Sequence, residues 1–159
     1  MEMDSILTTN MHELFMSRAI ELAKQGRGHV SPNPMVGCVL VLDGDIIGEG
    51  YHEEFGGPHA EVMAMRNARK DPVDAIAYVN LEPCCTTGKT LPCTTALVEN
   101  GISEVYIGML DPNPEINGKS VESLEKAGIT VHVGILEKEA NRLNQSFNKW
   151  ITQRIPWVI

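Results

Sequence analysis

Apolar residues at Leu14, Phe15, Ala19, Leu22 and Ala23 fall on one side of a 3.6-residue repeat, which predicts a helix over residues 12–25, ended by Gly26 and Gly28. The more polar residues 1–10 ahead of it read as a flexible lead, and residues 11–159 as one folded domain. The unbroken apolar run from Met35 to Leu42 predicts a buried strand, and Asp43-Gly44 predicts a tight hairpin into a second strand over 45–50. Pro58 suits the first turn of a helix over 59–68. Strands at 75–81, 104–110 and 129–133 then alternate with helices at 92–100, 119–126 and 136–151, with Gly101 and Gly128 closing the first two. One hairpin followed by strand–helix alternation implies a mixed central sheet, mostly parallel after the hairpin, with helices on both faces: a three-layer α/β/α sandwich.

Composition narrows the function more than the fold. A length of 159 residues suits a single core, and 43% apolar with 21% charged residues is ordinary for a soluble protein. A formal charge of -8 argues against a nucleic-acid groove, because neutralising phosphates needs clustered Lys and Arg; small molecules or protein partners fit better. Met1 to Asn10 has acidic residues and no basic stretch, so no secretory signal is expected. No apolar run is long enough to span a bilayer, and no membrane association is expected. The expected location is the cytoplasm, where four cysteines serve as metal ligands or buried thiols rather than as a disulfide framework.

Two short motifs carry the chemistry. His59-Ala60-Glu61 opens a predicted helix, and Pro83-Cys84 is followed, after eight intervening residues, by Cys93 at the start of the next predicted helix. One imidazole and two thiolates make three ligands for Zn2+, and a fourth position left open for water is the mark of a hydrolytic rather than a structural site. Cys85 is the nearby candidate for a fourth ligand, but its adjacency to Cys84 makes joint chelation awkward. Glu61, two residues past His59, is placed to exchange protons with an activated water without binding the metal, the role of catalytic acid and base. The set matches the zinc-deaminase signature His-x-Glu with Pro-Cys-x-x-Cys, its second cysteine displaced by a longer loop. The competing reading makes His59 a satisfied buried residue and the cysteines core, but a Gly/Thr/Pro-rich loop is a poor place for core cysteines. His12, His29 and His132 are read as non-functional, and Cys38 as a small buried apolar residue.

Several blocks together resemble one family. Ser31-Pro32-Asn33-Pro34-Met35-Val36-Gly37-Cys38-Val39, Gly50-Tyr51-His52, Gly57-Pro58-His59-Ala60-Glu61-Val62, Leu81-Glu82-Pro83-Cys84, Gly88-Lys89-Thr90, Pro92-Cys93 and Asp111-Pro112-Asn113-Pro114 look like the deaminase domain of the bifunctional riboflavin-biosynthesis deaminase/reductase, from about Met11 to Val158. The resemblance implies a cytidine-deaminase-like fold and removal of an exocyclic amine from a diaminopyrimidinone carrying a ribosylamino phosphate. It implies that His59, Cys84, Cys93 and Glu61 form the reacting centre, and that Asn33, His52, Lys89, Asp111 and Asn113 hold the substrate. The chemistry agrees: Lys89 is a point cation for a phosphate, and the amides of Asn33 and Asn113 can read a heterocycle's edge. The quieter alternatives are turn-shaping for Asn33 and Asn113, loop chemistry for Asp111, a strand-end residue for His52 and a solvated side chain for Lys89.

Two departures bear on the substrate. Thr86 stands where the family commonly has a histidine, and Leu91 where it has a proline, so an imidazole within reach of substrate is replaced by a short hydroxyl. The sequence also stops where the family's reductase domain begins, which leaves a separate reductase in the same pathway, or another pathway altogether. The rival functions are deamination of another nucleotide, nucleoside or nucleobase, and a non-catalytic zinc-stabilised binding protein. Leu143, Phe147, Trp150 and Ile151 on the terminal helix serve either a homo-oligomer interface or cover for the chain's own sheet.

Overall fold

The computed structural model describes residues 2–85 and 92–153, with side chains from residue 9 onward. Helix α1 (Glu2–Lys24) leads into the hairpin β1 (Gly37–Leu42) and β2 (Asp45–Tyr51), followed by α2 (Ala60–Arg66), β3 (Ile76–Leu81), α3 (Cys93–Glu99) and β4 (Glu104–Met109). The remainder is α4 (Lys119–Lys126), β5 (Thr130–Val133), α5 (Glu137–Leu143) and α6 (Gln145–Gln153). Among the described residues the strands form one sheet in the order β2-β1-β3-β4-β5. Strand β1 is antiparallel to β2 and β3, whereas β3, β4 and β5 run parallel. The hairpin turns on Asp43 and Gly44, both at positive φ (53° and 83°), the geometry that Asp-Gly favours.

Alternation along the strands sorts the two faces. Cys38, Leu40, Ala77, Val79, Val105 and Ile107 join Ala60 and Ala64 of α2, Leu97 of α3 and Leu124 of α4 in one buried layer. Val39, Val41, Tyr78 and Tyr106 face the other way, against Met16, Ala19, Ile20 and Leu22 of α1, with Leu143 of α5 alongside. Removing each large side chain from water contributes roughly 1.5–3 kcal/mol, so both faces are held. Two glycines allow the layers their close approach. A Cβ on Gly37 would stand 2.0 Å from the Ala19 carbonyl oxygen of α1, and one on Gly50 would stand 2.4 Å from the Ala64 nitrogen of α2.

The elements follow the predicted order, with two differences. Helix α1 starts at Glu2 rather than at residue 12, because no Gly or Pro interrupts the first 25 residues and backbone hydrogen bonding runs on through the polar stretch. The terminal helix is two helices, broken at Asn144, whose φ of -112° and ψ of 33° leave the helical region. The break turns the buried Asn144 amide onto the backbone of Met35, which a continuous helix would not be required to serve. Within that region Leu143 packs in the sheet-covering core, Phe147 is half-buried and Trp150 is 42% exposed. Among the described residues no helix is long and apolar enough to cross a membrane.

Candidate active site

The carboxyl end of β3 meets the amino ends of α2 and α3, the crevice where open α/β sheets place their ligands. His59 immediately precedes α2 and Glu61 is its second residue; Cys84 follows β3 and Pro83, and Cys93 is the first residue of α3. The ligating atoms of His59, Cys84 and Cys93 all lie within 4.8 Å of one another. His59 Nδ1 stands 3.1 Å from Cys93 Sγ and 3.6 Å from Cys84 Sγ. Across a tetrahedral zinc with ordinary Zn–N and Zn–S bonds the nitrogen–sulfur separation is about 3.6 Å, so the donor set and its spacing fit that ion. Cys85 lies outside the group, as its adjacency to Cys84 suggests.

The electrostatics of the cluster favour a cation. Cys84 is lowered to about 4, chiefly because Cys93 hydrogen-bonds to its sulfur, with His59 and the Cys93 backbone N–H (3.1 Å) also favouring the thiolate. Cys93 moves the opposite way, because its own proton is what Cys84 holds and because it is buried. The two sulfurs are thus close enough to compete for a proton, and liganding cysteines are deprotonated, so this cluster has the donor set a divalent cation requires. His59 is raised, first by its contact with Cys84. Burial raises the Glu61 carboxyl, which is 3% exposed and lies beside Cys93.

A cavity of about 220 Å³ opens in front of the cluster. Its polar wall includes Asn33, His52, Glu61 and Asp111, and its apolar wall includes Val36, Leu81, Ile116 and Phe147. His52 is buried and held from both ring nitrogens: Nδ1 donates to the Pro58 carbonyl oxygen at 3.0 Å, and Nε2 accepts from the Asn33 side-chain amide at 3.2 Å. The carbonyl can only accept, which fixes the tautomer and directs the Asn33 amide. Asp111 is raised by burial, against the hydrogen bond its Oδ1 accepts from the Asn113 N–H at 2.9 Å.

The structure therefore brings together His59, Cys84, Cys93, Glu61, Asn33, His52 and Asp111. Asn113 is not among the residues lining this cavity, and its side-chain oxygen accepts from the Glu115 N–H at 3.1 Å, on its own loop. Lys89, Thr86 and Leu91 lie outside the described residues. Sequence reasoning assigned no site role to Asn80, Glu82 and Asn144, all buried, or to Ile116, and it read Phe147 only as an interface or sheet-covering residue, whereas Phe147 also lines the cavity. Asn80 accepts from the Gly37 N–H at 2.8 Å and donates to the Met35 carbonyl at 3.0 Å, so it anchors the segment that carries Asn33. A polar residue interrupting the apolar run of β3 was the available signal.

Comparison with known proteins agrees with this geometry. The family model of the cytidine and deoxycytidylate deaminase zinc-binding region matches residues 9–109, and the chain belongs to that family. It is 49% identical over 144 residues to the riboflavin biosynthesis protein RibD of Aquifex aeolicus, an alignment covering 91% of this chain and 40% of the relative. The chain thus spans about two fifths of the length of such relatives. A diaminohydroxyphosphoribosylamino-pyrimidine deaminase of Buchnera aphidicola subsp. Schizaphis graminum is 44% identical, with 89% of this chain and 97% of the relative aligned. The crystal structure of a diaminohydroxyphosphoribosylaminopyrimidine deaminase/5-amino-6-(5-phosphoribosylamino)uracil reductase from Thermotoga maritima superposes with a TM-score of 0.90 at 50% identity, covering 94% of this chain and 44% of that one. The fold is accordingly the three-layer α/β/α sandwich of the cytidine-deaminase type.

Proposed function

We propose that this chain is a zinc-dependent hydrolytic deaminase that removes the exocyclic amine of a diaminopyrimidinone carrying a ribosylamino phosphate. The observation that carries the reading is the three-donor cluster opening on a cavity that also holds the buried Glu61. The near full-length Buchnera relative, named for that deaminase activity, supports the choice of substrate.

His59, Cys84 and Cys93 hold the ion, which supplies the Lewis acidity that makes water nucleophilic near neutral pH. Glu61 takes one proton from the attacking water and delivers it to the ring nitrogen beside the reacting carbon, then passes the remaining hydroxyl proton to the departing amine. One carbon–oxygen bond forms, the carbon–nitrogen bond breaks, and ammonia leaves with a ring carbonyl in its place. Asn33, oriented by His52, offers its amide to the heterocycle, and Asp111 accepts from substrate N–H or O–H groups. Asn113 supports Asp111 from behind, and Lys89 meets the phosphate. The product is a pyrimidinedione nucleotide, suited as the substrate of a separate reductase in the same pathway. Four free cysteines are in keeping with a reducing compartment such as the cytoplasm.

The test is ammonia release by zinc-loaded protein. Stoichiometric ammonia from the diaminopyrimidinone nucleotide supports the assignment. Release from deoxycytidylate or another nucleotide alone moves the substrate, and an equimolar zinc protein inactive on the whole panel removes the catalytic reading.

A further inference from the structure

Glu82 is 4% exposed and uses both carboxylate oxygens. Oε1 accepts from the N–H of Asp111 and from the N–H of Gly118, each at 3.0 Å. Oε2 accepts from the Ser120 N–H at 3.1 Å and from the Ser120 hydroxyl at 2.6 Å. Asp111 and Gly118 stand at the two ends of the loop between β4 and α4, so a single oxygen closes residues 111–118 into a ring. Gly118, at φ 80°, has no side chain to cap α4, and the carboxylate of Glu82 does so from β3's carboxyl end.

This loop forms one wall of the cavity, through Asp111 and Ile116. Its internal bonds transmit the tie at its ends: Asn117 donates to the Asp111 carbonyl at 2.9 Å, and the Asn113 N–H holds Asp111 Oδ1. Burying a carboxylate is costly unless it is fully hydrogen-bonded, and charge-assisted bonds hold their partners more stiffly than neutral ones. A serine or aspartate at position 118 would cap α4 with less burial, but it would not join the loop's two ends.

We propose that Glu82 is a positioning residue for substrate, holding Asp111 and Ile116 at the depth the pyrimidine nucleotide requires; this rests on the deaminase reading of the cavity. Although it is only two residues from Cys84, its contacts run to the binding wall rather than to the metal ligands.

The experiment is Glu82→Gln, Asp111→Asn and the double variant in the zinc-loaded protein, with zinc content, kcat and KM measured for the diaminopyrimidinone nucleotide. A glutamine carries one acceptor oxygen where the carboxylate uses two, so either the tie between Asp111 and Gly118 or the bond to the Ser120 N–H is lost and the wall is released at one end. The expected result for Glu82→Gln is full zinc content, kcat within about threefold of wild type, and KM raised about tenfold or more. The double variant is expected to raise KM by clearly less than the product of the two single effects, since Glu82 acts in part through Asp111. An unchanged KM, zinc loss with a matching fall in kcat, or KM effects that simply multiply would each overturn the proposal. Should Glu82→Gln fail to fold, Ser120→Ala removes the hydroxyl contact alone; a KM rise of about two- to threefold supports the proposal, and an unchanged KM overturns it. Wild-type protein releasing no ammonia from the nucleotide overturns the functional reading and this proposal together, whereas normal wild-type turnover with an unaltered variant KM overturns this proposal alone.

Discussion

Asn144 reaches across 109 residues of sequence to hold both sides of Met35, its Oδ1 accepting the Met35 N–H at 2.8 Å and its Nδ2 donating to the Met35 carbonyl at 2.8 Å. Asn80 donates to the same carbonyl, at 3.0 Å, and accepts the Gly37 N–H at 2.8 Å. The two amides fasten the entry to β1, and with it the loop bearing Asn33, to the middle of the sheet and to the start of α6. Replacing Asn144 by Leu strands the Met35 N–H, and the expected loss is about 2–4 kcal/mol in urea or thermal unfolding. Asn144→Asp keeps an acceptor for the N–H but sets an oxygen against the Met35 carbonyl, so it should cost at least as much. An Asp variant as stable as wild type would contradict this account.

Glu61→Gln preserves the shape of a buried side chain and removes its ability to accept a proton. The expected outcome is full zinc content with kcat lowered about 10²–10⁴-fold, read from ammonia release. Turnover at the wild-type rate would take Glu61 out of the reaction.

Removal of the metal should unfold the site as well as silence it. With only three protein donors in the cluster among the described residues, Cys84→Ser and Cys93→Ser are each expected to lose stoichiometric zinc. Chelation of the wild-type protein should lower the unfolding temperature, because an ion at about a hundred times its Kd adds about 2.7 kcal/mol to the folded state. Calorimetry with and without chelator checks this, and an unchanged transition would speak against a metal centre.

His52→Phe keeps ring volume at a buried position and deletes the acceptor that directs Asn33. The expected signature is a rise in KM of about tenfold with zinc retained, measured by steady-state kinetics and metal analysis. A loss of zinc instead would assign His52 to the support of His59, whose ring stands 5.5 Å away edge-on.

The sheet and the meeting of His59, Cys84 and Cys93 were legible because their signals are local. Short apolar runs mark β1, β3 and β4; Asp43-Gly44 marks the hairpin; and His59, Glu61, Cys84 and Cys93 announce themselves by residue type and spacing against helix starts. What escaped was polar and long-range. Glu82, Asn80 and Asn144 are satisfied by backbone groups 29 to 109 residues away, and no periodicity encodes such a partner. The break between α5 and α6 escaped for the same reason, since it exists to bring Asn144 to Met35. Asn113 was legible as a residue of the site's loop, but not the bond of its side-chain oxygen to the Glu115 N–H. The early start of α1 was available in the absence of Gly and Pro, which a polar composition obscured.

The most direct test of the whole account is X-ray absorption at the zinc edge on protein reconstituted with one equivalent of metal. The account predicts two sulfurs at about 2.3 Å, one imidazole nitrogen at about 2.0 Å and one further light atom supplied by solvent. A shell closed by a fourth protein sulfur or nitrogen, or zinc that does not bind at one equivalent, would contradict it.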